Sequence, residues 1–246
     1  MQPCSSRCCT PDSPELFRTR HCHKDLNERI NRLRTVEDRL GYLRCSSYSF
    51  SSNLVEIITS PSLLEKEENC KPGMCSNVTS WDEEFSIQVE YAKSFPWFRE
   101  MQIEDQLLIL VDRLLYVSAL RIANGASKLL QTDLTSNSLR STVSAVQRAE
   151  LDPVAFAILN AIIFTDYGAS HLSESSCALL KEERSKYLDA LRLHLFKKHP
   201  SSGAAHFLNH LAILWSLQGD CCILRKNLLN TLSPSSLTLR ILSVEL

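Results

Sequence analysis

The side chains able to do chemistry fall into two groups. Near the start, Cys4, Cys8, Cys9, His21, Cys22 and His23 supply thiolates and imidazoles, the usual donors to zinc. Their order, Cys-x3-Cys-Cys-x11-His-Cys-His, matches no familiar zinc module, and a disordered tail over residues 1–23 is the expected state. Further along, His206 and His210 stand at i and i+4, where two imidazoles can share one helix face and one metal ion. Asn209 rather than a glutamate lies between them and no third ligand accompanies them, so core or interface roles suit them better. His171, His194 and His199 are scattered. No glycine loop suited to phosphate and no nucleophile elbow is present. The sequence predicts no enzyme, no cofactor and no metal site.

The bulk composition sets the scale. Of 246 residues 44% are hydrophobic and 22% charged, which is enough apolar material for one substantial core. Lys and Arg number 27 against 28 Asp and Glu, so there is no concentrated basic surface for direct nucleic acid contact. Val154 to Phe164 is the longest nearly apolar stretch and is too short to cross a bilayer, so no membrane partner is expected. No apolar segment follows Met1-Gln2-Pro3-Cys4, which argues against secretion. The ten cysteines then read as free thiols in the nucleus or cytoplasm.

Hydrophobic spacing predicts helices throughout. Leu26, Ile30, Leu33, Val36 or Glu37, Leu40 and Leu43 recur at steps of three and four, giving a first helix over Asp25–Arg44 with Asp25 as its N-cap. Residues 46–80 lose periodicity and read as mostly loop around a short apolar island, Leu54–Ile58. Together, residues 24–80 form a first helix and a long loop, with the domain core at 81–246. Ser80-Trp81-Asp82-Glu83 is a capping-box pattern that opens a buried helix, which Pro96 ends or kinks. Further helices are expected from Ile103, over 138–149, 153–166 and 174–198, and from about 202 to 231. No segment alternates as a strand would. The fold class predicted is all-α.

One constellation is specific. Tyr91-Ala92-Lys93, then Phe95-Pro96-Trp97-Phe98, then Glu104-Asp105-Gln106-Leu107-Leu108-Ile109-Leu110 resembles the signature of nuclear receptor ligand-binding domains. Leu151-Asp152-Pro153-Val154-Ala155-Phe156 is similar to that family's eighth helix, and Lys186-Tyr187-Leu188-Asp189-Ala190-Leu191 to its ninth. The likeness covers residues 81 to about 231. It implies a three-layer antiparallel helical sandwich whose surface groove accepts a coregulator helix of Leu-x-x-Leu-Leu or corepressor type. By position in the family, that groove is Val89, Ile103, Leu107 and Val111, with Lys93 capping the carbonyls at the C-terminal end of the bound helix.

Three departures qualify this. The second basic groove residue of many relatives falls at Val111, with Arg113 nearby. The terminal activation helix, best matched by Leu237-Thr238-Leu239-Arg240-Ile241-Leu242, has Arg240 where the family carries a glutamate. A cation there opposes the helix dipole of a bound peptide by about 0.3–1 kcal/mol, so the resemblance points toward repression; Glu245 is a poorly spaced substitute. The interval from Arg121 to Leu151 is short for the family, as if its small hairpin and sixth helix were lost, leaving a pocket collapsed, open or filled. Its candidate lining is Trp81, Phe85, Leu114, Ser118, Arg121, Ile122 and Val146. A small lipophilic or acidic ligand is the implied occupant, with Arg121 either its anchor or half of an internal salt bridge.

No DNA-binding domain of the family can be built from these cysteines. The chain is then either a fragment or a receptor that works through others. Dimers with another nuclear receptor or with itself are expected around 186–217, although Leu208, Leu211 and Trp215 fit a core equally well. The island Leu54–Ile58 fits the Leu-x-x-Ile-Ile pattern of corepressors and suits a partner's groove or its own. The function implied is a nuclear transcriptional switch; a ligand-independent helical dimerisation partner or adaptor is the rival.

Overall fold

The computed structural model describes residues 14–46, 50–51, 53–65, 78, 80–125, 132–169 and 171–244, with residues 14–24, 65 and 133 described by their backbone. The described residues are helical, with no strand among them. In order they form α1 (Pro14–Cys45), α2 (Leu54–Thr59), a 3-10 turn (Leu63–Glu65), α3 (Trp81–Lys93), α4 (Pro96–Glu100) and α5 (Ile103–Ala123). Then come α6 (Asp133–Ser138), α7 (Arg140–Ala149), α8 (Pro153–Phe164), α9 (Glu174–Lys198), α10 (Gly203–Thr231) and α11 (Leu237–Leu242).

The central helices are α3, α5 and α8. α5 packs on α3, α8 and α10; α1 and α9 cover α8, and α7 lies along α10. α3 is apolar on more than one face, as its sequence required, and every residue from Glu84 to Lys93 is buried. Its start is the expected capping box: the Ser80 hydroxyl accepts from Glu83 N–H while the Glu83 carboxylate accepts from Ser80 N–H. α10 is long and apolar enough to cross a membrane by length and composition, and it packs against α5, α7 and α9.

The signature residues are the joint between these layers. Pro96 is the first residue of α4, where its missing N–H costs nothing. Gln106 donates to the carbonyls of Phe98 and Met101 at 2.8 and 3.0 Å, fixing the turn into α5. Asp105 accepts from the hydroxyls of Ser173 and Ser176, both at 2.6 Å, and so ties the start of α5 to the start of α9.

Four expectations change. α1 begins at Pro14, so residues 14–23 are helical rather than part of a tail, and Asp25 lies inside the helix instead of capping it. α1 is firmly docked: Leu26, Leu33, Leu40 and Leu43 are buried in the same core as α3 and α5, which therefore does not begin at residue 81. Within 46–80, the apolar island is a helix. The 121–151 interval carries α6 ahead of the expected α7. Cys4, Cys8, Cys9 and Glu245 lie outside the described residues, as do the side chains of His21, Cys22 and His23. His206 and His210 do not converge on a ligand. The His206 ring stacks on His199 at 3.7 Å, and His210 Nδ1 donates to the His206 carbonyl at 2.7 Å.

Candidate functional site: a groove flanked by two short helices

Lys93 ends α3, and only 4% of it is exposed. Its ammonium donates to the Ile57 carbonyl at 2.8 Å, to the Ser60 hydroxyl at 3.3 Å and to the Pro61 carbonyl at 3.5 Å. These are acceptors at the C-terminal end of α2. The same ammonium pairs with Glu90 at 2.6 Å, one turn back on α3. The other Glu90 oxygen accepts from Leu63 N–H at 2.7 Å and from the Ser62 hydroxyl at 3.2 Å. One buried ion pair thus caps the end of α2 with its cation and the start of the 3-10 turn with its anion.

α2 lies on α3 with Ile57 and Ile58 buried, while Val55 and Glu56 face outward. Its N-terminus is closed by its own Asn53, whose side chain accepts from Val55 N–H at 3.0 Å. Val89, one of the four residues expected in the groove, is fully buried. Leu54 opens onto a cavity of about 810 Å3, walled also by Leu107, Leu108, Val111, Leu237 and Ile241. Ile103, at the start of α5, is half-buried against the core and does not line this cavity. The structure therefore brings Leu107 and Val111 together with the terminal helix. It places Lys93 against the C-terminal end of α2 and buries Val89 in the core.

The terminal helix α11 is the one expected from Leu237 to Leu242. Leu237, Ile241 and Leu242 are buried and Leu239 is half-buried. Asp82, in the first turn of α3, receives the Ser236 hydroxyl at 2.7 Å and the Leu237 and Thr238 N–H groups at 3.0 and 2.8 Å. Burial works against its ionisation, but these hydrogen bonds outweigh it and hold its carboxyl below the ordinary 3.8. At the other end Arg225 of α10 donates to the carbonyls of Leu242 at 3.0 Å and Val244 at 2.8 Å. Arg240 is exposed at the cavity rim.

No family model and no curated protein matches the sequence. Among solved structures the chain is similar to the Ultraspiracle ligand binding domain from Drosophila melanogaster, with 19% identity and a TM-score of 0.52 over 67% of this chain and 78% of that one. The fold is that of a nuclear receptor ligand-binding domain. Within this ligand-binding-domain fold, the residues expected to line a ligand pocket are all buried: Trp81, Phe85, Leu114, Ser118, Arg121, Ile122 and Val146. None of them walls the cavities at α1/α9, α5/α8, α7 or α5/α11. Trp81 and Phe85 meet edge to face at 6.0 Å. Arg121 is held inside the protein, bonded to both oxygens of Glu37 at 2.9 and 3.0 Å and set over the Phe156 ring. Asn160 shares the same Glu37 carboxylate at 3.1 Å. Of the two roles open to Arg121, the salt bridge is the one seen.

Arg113 does not supply the groove's second cation. It pairs with Asp112 at 2.8 Å and Asp166 at 3.3 Å beside a separate cavity between α5, α8, α9 and α10. Asp82, Glu90, Asn53 and Arg225 are parts of the site that the sequence reading missed. Asp82 was legible only as a first-turn acid, since its partners lie more than 150 residues away. Asn53 did carry a signal, an N-cap residue directly before an apolar run.

Proposed function

We propose that this chain is a non-enzymatic transcriptional regulator of the nucleus that recruits coregulators through the groove bounded by α3, α5 and α11. One observation carries the reading: Lys93 caps the C-terminal carbonyls of a Leu-x-x-Ile-Ile helix, the contact by which such a groove would hold a coregulator. Arg240 stands at the rim, where an acid would be needed to cap the N-terminus of a coactivator helix. α2 meets that need with its own Asn53. The groove is thereby matched to helices of corepressor type that bring their own N-cap. A small-molecule ligand is not part of the proposal; Arg121, its expected anchor, is engaged by Glu37.

The test is fluorescence anisotropy with labelled coactivator-type and corepressor-type helices, at concentrations high enough to compete with α2. Wild type, Lys93→Ala and Val111→Asp are compared. Val111 is half-buried in the groove wall, so its substitution spares the Lys93–Glu90 pair. Saturable binding of the corepressor-type helix, weakened in both variants, is the expected result. Binding indifferent to both variants, or a coactivator preference that depends on residues 237–242, overturns it.

A second reading has its own support. Leu208 and Trp215, which the periodicity allowed as core, are 63% and 75% exposed on α10. An outward apolar row of this kind suits association with a second copy or another receptor. Trp215→Lys, followed by sedimentation velocity, tests whether the chain self-associates through it.

A further inference from the structure

An ammonium group has three N–H donors and no more. Those of Lys93 already face Glu90, the Ile57 carbonyl and, within 3.5 Å, the Ser60 hydroxyl and Pro61 carbonyl. No donor is left for the end of an arriving helix, and at 4% exposure the group offers it no path. The occupant of this seat has the features of the partner it would exclude. Leu54, Ile57 and Ile58 stand at i, i+3 and i+4 with the two isoleucines buried, Val55 is 45% exposed, and the N-terminus is capped by Asn53.

The seat is also a weak one. A six-residue helix is far below the length that persists alone in water, so α2 owes its form to Asn53, Lys93 and two buried side chains. Leu54, the leading apolar residue, borders the open cavity with Leu107, Leu108 and Val111. Room for a longer apolar occupant therefore lies next to the part of the groove that α2 fills.

We propose that α2, residues 53–61, is an internal competitor for the coregulator groove, which must leave Lys93 before an external helix can reach it. This rests on the groove reading above and adds its regulation. The apparent affinity of the groove for an outside helix is its intrinsic affinity reduced by the fraction of molecules in which α2 has left.

The experiment uses the full chain and a labelled corepressor-type helix, comparing wild type with the doubly substituted variant Leu54→Ser, Ile58→Ser. Anisotropy is expected to show binding about tenfold tighter or more in the variant. An unlabelled peptide of residues 53–62, added in excess, should compete that gain away. In parallel, amide hydrogen exchange over residues 54–60 of the wild type should accelerate when the unlabelled helix is added. Equal affinities with unchanged exchange would overturn the competitor and leave the groove standing. Binding to neither protein would overturn the groove itself, and the competitor with it. Should the variant fail to fold by circular dichroism, the exchange measurement on wild type decides alone: acceleration supports displacement and its absence refutes it.

Discussion

α2 and α11 have the same length, six residues, and flank the same groove, yet they are held in different ways. Neither is long enough to persist by itself, so each reports on what surrounds it. α11 buries Leu237, Thr238, Ile241 and Leu242, has its own N-cap in Ser236, and is further capped at both ends by charged side chains from other helices, Asp82 of α3 and Arg225 of α10. α2 buries only Ile57 and Ile58, closes its own N-terminus and receives one outside cap, Lys93. Charged caps from two separate elements tie α11 to the opening of the whole domain. α2 takes its outside cap from α3 alone, so under the competitor proposal it departs while α3 and α5 stay packed. The lesson is that a short helix is as permanent as the number of independent elements that complete its backbone.

That contrast can be broken or sharpened by substitution. The largest effect is expected at Glu84, which is fully buried and makes a two-pronged pair with Arg44 at 2.7 Å on each bond. Burial alone would raise the Glu84 pKa, but Arg44 overcomes it and holds the carboxylate ionised. Glu84→Ala strands the guanidinium in the core and should cost about 3–5 kcal/mol of global stability in denaturant melts, loosening α2 and α11 alike. It marks what collapse of the common frame looks like. Asp82→Ala removes three hydrogen bonds from the start of α11 and is expected to cost about 1–2 kcal/mol. Its exchange signature should be confined to residues 236–242, with 54–60 unchanged; acceleration in both segments would erase the distinction drawn here.

Asn53→Ala removes the N-cap of α2 and should cost about 1 kcal/mol there. Exchange should rise at 54–60 and not at 236–242, and corepressor-helix affinity should improve about fivefold, the equivalent of that energy. The smallest effect is one of pH. The Asp82 carboxyl has a lower pKa folded than the ordinary 3.8, so below neutrality the folded state binds fewer protons than the unfolded one. Its contribution is then fully present above 3.8 and lost as pH falls through the lower folded value. Denaturant melts of wild type and Asp82→Asn should run parallel from neutrality to about pH 5 and converge in stronger acid. A gap that persists unchanged to the lowest pH would show that the carboxylate is not what holds α11.

Much of this fold is written in local patterns. The three- and four-residue spacing of leucines announced α1, α5, α9 and α10. The box at Ser80 and Glu83 fixed the start of α3, and Pro96 the break before α4. The signature from Tyr91 to Leu110 identified the joint on which the layers turn, because Asp105 and Gln106 satisfy the polar groups at that turn. These features depend on neighbours within a turn or two, and a sequence displays such neighbours directly.

What the chain by itself could not decide was which of two partners each polar group would find. Arg121 suited a ligand acid or an internal one, and only the docking of α1 brought Glu37 to it. Lys93 suited a visiting helix or a resident one, and only the docking of residues 53–61 on α3 delivered α2 to its ammonium. Trp215 suited core or surface until α10 was set against α5, α7 and α9. The physical reason is common to all three. Side-chain chemistry states what kind of partner a group needs, whereas the partner's identity depends on elements distant in sequence, which the chain brings together only when the core closes.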